Sequence, residues 1–308
     1  MFKIYSIGEG LGDCFLILLG DEAGTNITIL VDGRDGSNID AICNEISNKL
    51  GDCKKIDYLV VTHMDQDHIK GAILLMKTKK EWFEETKVIY NYVIKDTISY
   101  SQAIELESML NEEKVINTYF DYYDCKKEKL LFCSLTKRKE FSNKIYELQK
   151  KIPIITFFSP NRDGVLAVHR EYLKRKYKYS SGTPKKINKN SIVFLLEFKD
   201  KRALFTGDAY MDDISKLCDF LKEKIDVIKI PHHGAAENNK TLLEFSNHYG
   251  CKTFIVTGEK EWKKVHPAES LLKSLAKKEE ANYLYTKVEI TGKFGMLNIK
   301  KQEEIVLC

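Results

Sequence analysis

Thr62-His63-Met64-Asp65-Gln66-Asp67-His68 is the stretch that decides the reading of this chain. Two imidazoles and two carboxylates fall within the six positions from His63 to His68, directly after the apolar run Ile56-Asp57-Tyr58-Leu59-Val60-Val61. A short apolar run bounded by polar residues reads as a buried strand. Four good ligands for a divalent cation therefore sit just past a strand end, where successive side chains fan into a shared pocket. The plain alternative is a polar turn. Packing His and Asp this densely costs free energy unless the groups are hydrated, paired or metal-bound, and that cost favours a metal site.

Outward from the heptapeptide, short apolar runs alternate with turn residues at Phe2–Ile7, Cys14–Leu19, Ile27–Val31 and Leu59–Val61, and read as strands. Ile39, Ile42, Ile46 and Leu50 have helical spacing, with Ser37 or Asn38 as the cap. A further helix is expected over Ile69–Lys77, directly after the metal-ligand cluster. The second half repeats the rhythm. Ser191–Phe198 and Arg202–Phe205 form a hairpin across Lys199-Asp200-Lys201. Helices are expected over Asp212–Leu221, Leu242–His248 and Ala268–Leu275, strands over Val227–Ile230 and Phe254–Val256, and terminal strands within Val288–Ile299. The whole predicts an α/β chain of two β-rich halves, each backed by helices.

The heptapeptide resembles the signature of the metallo-β-lactamase fold superfamily, H-x-H-x-D-H, with Asp65 where the second His usually stands. The variant H-x-D-x-D-H is similar to the hydrolase domain of the competence protein ComEC and its free-standing relatives. Other segments resemble that family in order. Gly8-Glu9-Gly10-Leu11-Gly12-Asp13-Cys14-Phe15 is similar to its opening V-G-Q-G-D turn, and Ile29-Leu30-Val31-Asp32-Gly33 to the strand and turn that follow. Asn190-Ser191-Ile192-Val193, Leu204-Phe205-Thr206-Gly207-Asp208, Ile230-Pro231-His232-His233-Gly234 and the late His266-Pro267 complete the set. The resemblance implies a four-layer αββα metallo-β-lactamase sandwich formed by a single domain over residues 1–308, with the site in the groove between two sheets. Residues 80–186 have no counterpart in it and are expected to be a family-variable, basic insertion.

The resemblance also implies roles. His63 and Asp65 would serve one metal, and Asp67 and His68 the other, with Asp208 bridging. His233 would be a ligand of the second metal, and His232 would face the first metal or the substrate. Asp67, His232 and His266 are the candidate catalytic groups, His266 by contacting a phosphoryl oxygen or protonating the leaving group; His266, before Pro267 and a helix, reads almost equally as a capping residue alone. Asp13 and Asp32 would orient ligands from behind. Many superfamily members supply a third His to the first metal; here Asn190-Ser191 stands at that place, and His169 aligns with nothing. The first site is thus oxygen-rich, which weakens zinc selectivity and makes manganese or magnesium competitive. The cofactors implied are two divalent ions, Zn²⁺ or Mn²⁺. A metal pair activates water and clamps phosphoryl oxygens, so the implied activity is phosphodiester hydrolysis, above all by a nuclease. Free-standing relatives resemble parts of DNA-uptake or anti-phage defence loci. The alternatives are a small-molecule or lipid-linked phosphodiesterase, as in phosphorylcholine esterases, and a non-catalytic sensor on the same scaffold. Antibiotic hydrolysis is disfavoured because lactamases keep three imidazoles at the first metal.

Charge is unevenly spread. Residues 126–189 carry 18 Lys+Arg against 5 Asp+Glu, a net of +13 in a chain of net +4, which leaves −9 for the remainder. A basic segment on an acidic body suits a phosphate backbone, and nucleic acid is the expected partner. Tyr172, Tyr177, Tyr179 and Phe157–Phe158 are candidate stacking surfaces there. The same run reads equally as a solvated face of a Lys-rich chain, and Tyr179–Lys186 as a loop or lid. Hydrophobic content of 43% and charged content of 31% are ordinary for a globular protein. The eight cysteines are scattered without a C-x-x-C pair, and Cys14, Cys43, Cys218 and Cys251 sit among apolar neighbours, as reduced core residues do. No signal h-region and no run near the roughly 20 apolar residues of a membrane span is present. The expected location is cytoplasmic, with no membrane partner.

Overall fold

The computed structural model of the chain describes residues 1–8, 12–20, 26–52, 54–90, 101–110, 115–116, 130–131, 153–161, 163–168, 170, 185–219, 221–258, 266–277, 282–286 and 304–307. Strands β1 (Phe2–Ser6), β2 (Phe15–Gly20), β3 (Asn26–Val31), β4 (Tyr58–Val60), β5 (Lys87–Ile89) and β6 (Val115–Ile116) build the first sheet. Strands β7 (Leu130–Leu131), β8 (Ile154–Ser159), β9 (Val193–Phe198), β10 (Lys201–Phe205), β11 (Val227–Lys229), β12 (Thr253–Thr257) and β13 (Asn282–Thr286) build the second. β14 (Glu304–Val306) returns to pair with β1, so the first sheet runs β14-β1-β2-β3-β4-β5-β6 and the second β13-β12-β11-β10-β9-β8-β7. In each sheet antiparallel neighbours give way to parallel ones, from β3 to β6 and from β10 to β13. Parallel neighbours need crossovers, and α1 (Ile39–Leu50), α2 (Gln66–Thr78) and α3 (Ser101–Met109) serve the first sheet. After α4 (Lys185–Lys189), the helices α5 (Met211–Cys218), α6 (Leu242–His248) and α7 (Glu269–Ala276) serve the second.

Side-chain alternation along the strands explains the layering, because successive residues point to opposite faces. Phe15, Ile17, Ile29, Val31 and Val60 of the first sheet meet Phe157, Phe194, Leu196, Phe205, Val227 and Ile255 of the second in a core between the sheets. The alternate residues Leu16, Leu30 and Leu59 turn outward onto Ile42, Ile46, Ile69 and Leu75 of α1 and α2. Val193, Leu195, Leu204, Ile228 and Phe254 do the same against Ile214, Phe245, Leu271 and Leu272 of α5, α6 and α7. Strands buried on both faces read as continuous apolar runs. The result is a four-layer αββα sandwich, as the sequence leads one to expect.

The differences from expectation have physical causes. α2 begins at Gln66, earlier than the apolar periodicity shows, because the Asp65 carbonyl already accepts from the His68 and Ile69 amides. Asp67 and His68 therefore lie in its first turn. Residues 80–186 contribute β5 and β6 to one sheet and β7 and β8 to the other. Phe157 and Phe158 are buried in β8, so they cannot stack on bases. Tyr172, Tyr177, Tyr179, His169, most of the basic segment and the stretch Val288–Ile299 lie outside the described residues, as does 179–184 of the expected loop; Lys185 and Lys186 open α4. Cys14, Cys43, Cys218 and Cys251 are all buried. Among the described residues no helix is long and apolar enough to cross a membrane.

Candidate metal centre

All seven residues expected to hold metal meet at one end of the sandwich, just beyond β4, β10 and β11. From the first sheet, His63 leaves β4 in an extended segment, Asp65 caps α2, and Asp67 and His68 occupy its first turn. Neighbouring helical residues point about 100° apart, so His68 turns fully inward while the Asp67 side chain keeps 33% exposure. The helix end is pressed onto the loop after β3 at two glycines. A Cβ on Gly71 would lie 1.6 Å from the Gly33 carbonyl oxygen, and the Gly33 amide donates to the His68 carbonyl at 2.9 Å. That contact brings Asp32 beside His68.

From the second sheet, Asp208 follows the Thr206-Gly207 turn, where Gly207 has φ +49 and a Cβ would crowd Ser191 at 2.8 Å. His232 and His233 lie in a tight turn, Pro231–Gly234, and both have left-handed backbone, φ 48 and 52. Non-glycine residues rarely adopt that region, and they cluster at functional sites when they do. The turn sends the two rings apart, His233 inward and His232 to the rim, where its side chain is 28% exposed.

Asp208 is the common neighbour. Its Oδ2 lies 3.7 Å from His63 Nε2, 3.6 Å from His232 Nε2 and 3.8 Å from His233 Nε2, and its Oδ1 lies 3.5 Å from His68 Nε2. Asp65 Oδ2 lies 3.9 Å from His63 Nε2, while Asp67 Oδ2 lies 3.2 Å from His233 Nε2 and 3.9 Å from His68 Nε2. Ligand atoms close enough to share an ion form overlapping groups, His63, His68 and Asp208 in one and Asp67, His68 and His233 in another, while Asp65 adjoins His63 and His232 adjoins Asp208. His266 stands farther out, its ring 5.3 Å from that of His232.

Behind the ligand atoms, each imidazole is anchored through Nδ1. His68 Nδ1 contacts Asp32 Oδ2 at 2.8 Å. The Thr62 hydroxyl donates to the same oxygen at 2.6 Å, so with its single proton spent it accepts from His63 Nδ1, 3.0 Å away. Thr257 repeats the device: its hydroxyl donates to Asp13 Oδ1 at 2.5 Å and accepts from His233 Nδ1 at 3.0 Å. His232 Nδ1 lies 3.2 Å from Asn238 Oδ1. Every Nε2 is thereby turned toward the cluster. Asp13 and Asp32 lie against the Nδ1 sides of His233 and His68, and both also fall in groups of ligand atoms that could hold an ion themselves.

Lys229, Thr257 and Asn238 are additions that sequence reasoning missed. Lys229 points between the sheets, as Val227 does two residues earlier, and is buried. Its ammonium pairs with Asp13, donates to the Gly207 carbonyl at 2.9 Å and lies 3.7 Å from Asp208 Oδ1. A single charge inside Val227-Ile228-Lys229-Ile230 was the available signal. Asn190, expected where a third histidine would stand, turns its amide back to the Lys186 carbonyl at 2.8 Å, while Ser191 Oγ accepts from the Asp208 amide at 3.2 Å.

The electrostatics are strongly polarised. Burial, reinforced by the adjacent His68, pushes His63 down to about 3, so its imidazole is neutral. Burial opposes charge on His68 and His233 too. There, however, carboxylates win: Asp208, Asp67 and Asp32 hold His68 well above its ordinary value, and Asp208 and Asp13 lift His233 to about 9. Burial alone would raise Asp208, yet His68 and His233 hold it well below the carboxylate range. Four buried atoms, His63 Nε2, His68 Nε2, His233 Nε2 and Asp208 Oδ1, make no hydrogen bond among the described residues. Leaving such groups unmatched costs about 1–3 kcal/mol each. Three imidazole nitrogens and a carboxylate oxygen that converge and hydrogen-bond to nothing are groups able to hold a divalent cation, and the residues present fit one.

No family model matches the chain, and no curated protein does. Among solved structures, CmlA β-hydroxylase is similar at 10% identity and TM-score 0.49, with 92% of this chain and 52% of that one covered. A long form RNase Z from yeast is similar at 12% identity and TM-score 0.49, covering 92% of this chain and 40% of that one. Human tRNase Z, short form, is similar at 12% identity and TM-score 0.42, covering 82% and 92%. The chain thus spans about half the length of the first of these and less of the second. Layer order and strand topology, rather than these low-identity likenesses, establish the fold.

Proposed function

We propose that this chain is a metal-dependent hydrolase of phosphodiester bonds that holds two divalent ions, Zn²⁺ or Mn²⁺, and that its substrate is nucleic acid. One observation carries the reading: buried ligand atoms without hydrogen bonds converge on Asp208 from both sheets. We assign them to two sets that share it, His63, Asp65 and His232 in one and Asp67, His68 and His233 in the other. Divalent ions bound there supply Lewis-acid activation of water and neutralise charge on phosphoryl oxygens.

The chain's own residues do the rest. Asp32 and Asp13 fix the rings of His68 and His233, and Thr62 fixes His63, so the ligand atoms are set before substrate arrives. Lys229 holds Asp13 in an ion pair behind the cluster and keeps it from turning inward. Asp67, partly exposed and beside His233, borders the side from which substrate enters. His266, next to His232 at the rim, is placed to hand a proton to the departing oxygen. The net +13 of residues 126–189 supports a polyanionic substrate.

The test uses metal-stripped protein reconstituted with Mn²⁺ or Zn²⁺ and offered labelled single- and double-stranded DNA, RNA and bis-p-nitrophenyl phosphate. Metal-dependent cleavage of a nucleic acid is expected, with binding that weakens steeply as salt rises. Hydrolysis of the small ester alone would remove the nuclease reading and leave a small-molecule or lipid-linked phosphodiesterase. Inertness toward every ester with either metal would leave a binding or sensor subunit.

A further inference from the structure

Glu237–Asn239 forms a short 3-10 turn directly behind the histidine pair, and both of its asparagines are buried. Asn239 Nδ2 donates to the carbonyls of Pro231 at 2.9 Å and Ala235 at 2.7 Å, one at each end of the turn that holds the two left-handed histidines. Asn238 reaches into the site. Its Nδ2 donates to the Asp208 carbonyl at 2.9 Å and to the Ala209 carbonyl at 3.3 Å, and its Oδ1 lies 3.2 Å from His232 Nδ1.

Hydrogen-bond accounting fixes which way this amide points. Two carbonyl oxygens can be matched only by the NH₂ end, since the reverse orientation would set an amide oxygen against both. Oδ1 must then face His232, and an acceptor there requires a proton on Nδ1. The other nitrogen, Nε2, is left bare, 3.6 Å from Asp208 Oδ2. A bare nitrogen coordinates a cation and cannot deliver a proton.

We propose that Asn238 is a positioning residue that locks His232 in the Nδ1–H tautomer and so commits it to ligating the metal shared by His63, Asp65 and Asp208. Proton delivery to the leaving group then falls to His266. The inference rests on the reading of the cluster as a metal centre. The same amide holds the backbone of Asp208, so one side chain ties the shared carboxylate to the rim histidine. Nothing in the linear sequence marks Asn238 from the neighbouring polar residues.

Long-range ¹H–¹⁵N correlation spectra of the unmodified, metal-free protein, recorded at alkaline pH, read the tautomer directly. Nδ1 is expected to carry the proton; a proton on Nε2 would overturn the proposal. Asn238→Leu removes the hydrogen bonds while keeping the branch point and the number of side-chain heavy atoms. In a calorimetric Mn²⁺ titration it should weaken the site of His63, Asp65 and His232 by about 10- to 100-fold and that of Asp67, His68 and His233 less, through the shared Asp208. Unchanged affinity at both sites would also overturn it. A wild-type protein that binds no divalent ion defeats the metal-centre reading and with it the ligand role, while the tautomer spectrum separately upholds or overturns the Asn238 hydrogen bond.

Discussion

On the first-sheet side of the centre, His63 and His68 both hang from one carboxylate: His68 touches Asp32 directly, and His63 reaches it through the Thr62 hydroxyl. On the second-sheet side, His233 reaches Asp13 through Thr257, whereas His232 leans on the neutral amide of Asn238 and keeps part of its ring in solvent. A carboxylate behind an imidazole makes it more basic and holds it in line, and ligand strength follows. Under the proposed two-ion reading, the contrast teaches that the two sets should not be equal. His68 and His233 are both buried and carboxylate-backed, whereas His63 is joined in its set by His232, which is open at the rim and amide-backed. The first set should fill at low metal, the second only at higher metal.

The largest effect is expected from Asp208→Ala, which removes the one side chain common to both sets. Metal binding and hydrolysis should both fall to background, read by metal analysis and ester hydrolysis. Retention of one tightly bound ion would break the account of a shared carboxylate. Asp32→Asn should come next, weakening metal at the His68 set by about 10- to 100-fold, with a smaller loss at the His63 set because His63 is coupled only through Thr62. Equal losses at both would erase the contrast.

The two sides also differ in how their backbones are held. The first relies on the contact between Gly33 and Gly71, the second on left-handed histidines braced by Asn239. Gly71→Ala forces a methyl group into the Gly33 carbonyl and should lower stability by about 1–3 kcal/mol, measured by denaturant unfolding. Metal affinity should fall at the His68 set first.

The smallest effect is a pH dependence. In the metal-free protein His233 is raised from 6.5 to about 9, so its charged form contributes stability that is fully present below 6.5 and is lost as pH climbs through about 9. Metal-free melting temperature should decline across that window. Ions must displace protons from His68 and His233, so metal affinity should rise over the same window. Calorimetry in buffers of different ionisation heat checks this through proton release.

Much of this was legible in the sequence, and for definite reasons. The short apolar run before His63 reads as a buried strand, and the ligand-rich segment after it needed a metal, a partner or solvent. Asp208 and the His232-His233 pair each follow a strand of the second sheet, so one fold geometry delivers them to one place. Thr257 and Asn238 were not legible as site residues, and Lys229 was marked only as a single charge inside an apolar strand. Their function comes from contacts across the sandwich, such as Thr257 with Asp13, 244 positions apart in the chain. Spacing along one strand or turn carries no trace of such a partner. The strand at Ile154–Ser159 was missed because the surrounding positive charge drew the reading toward a solvated surface.

The most direct measurement is a crystal structure of protein soaked in Mn²⁺, with anomalous scattering used to place each ion. The account predicts two ions that both contact Asp208, one also held by Asp67, His68 and His233, the other by His63, Asp65 and His232. An ion away from Asp208, or none under saturating metal, would contradict it.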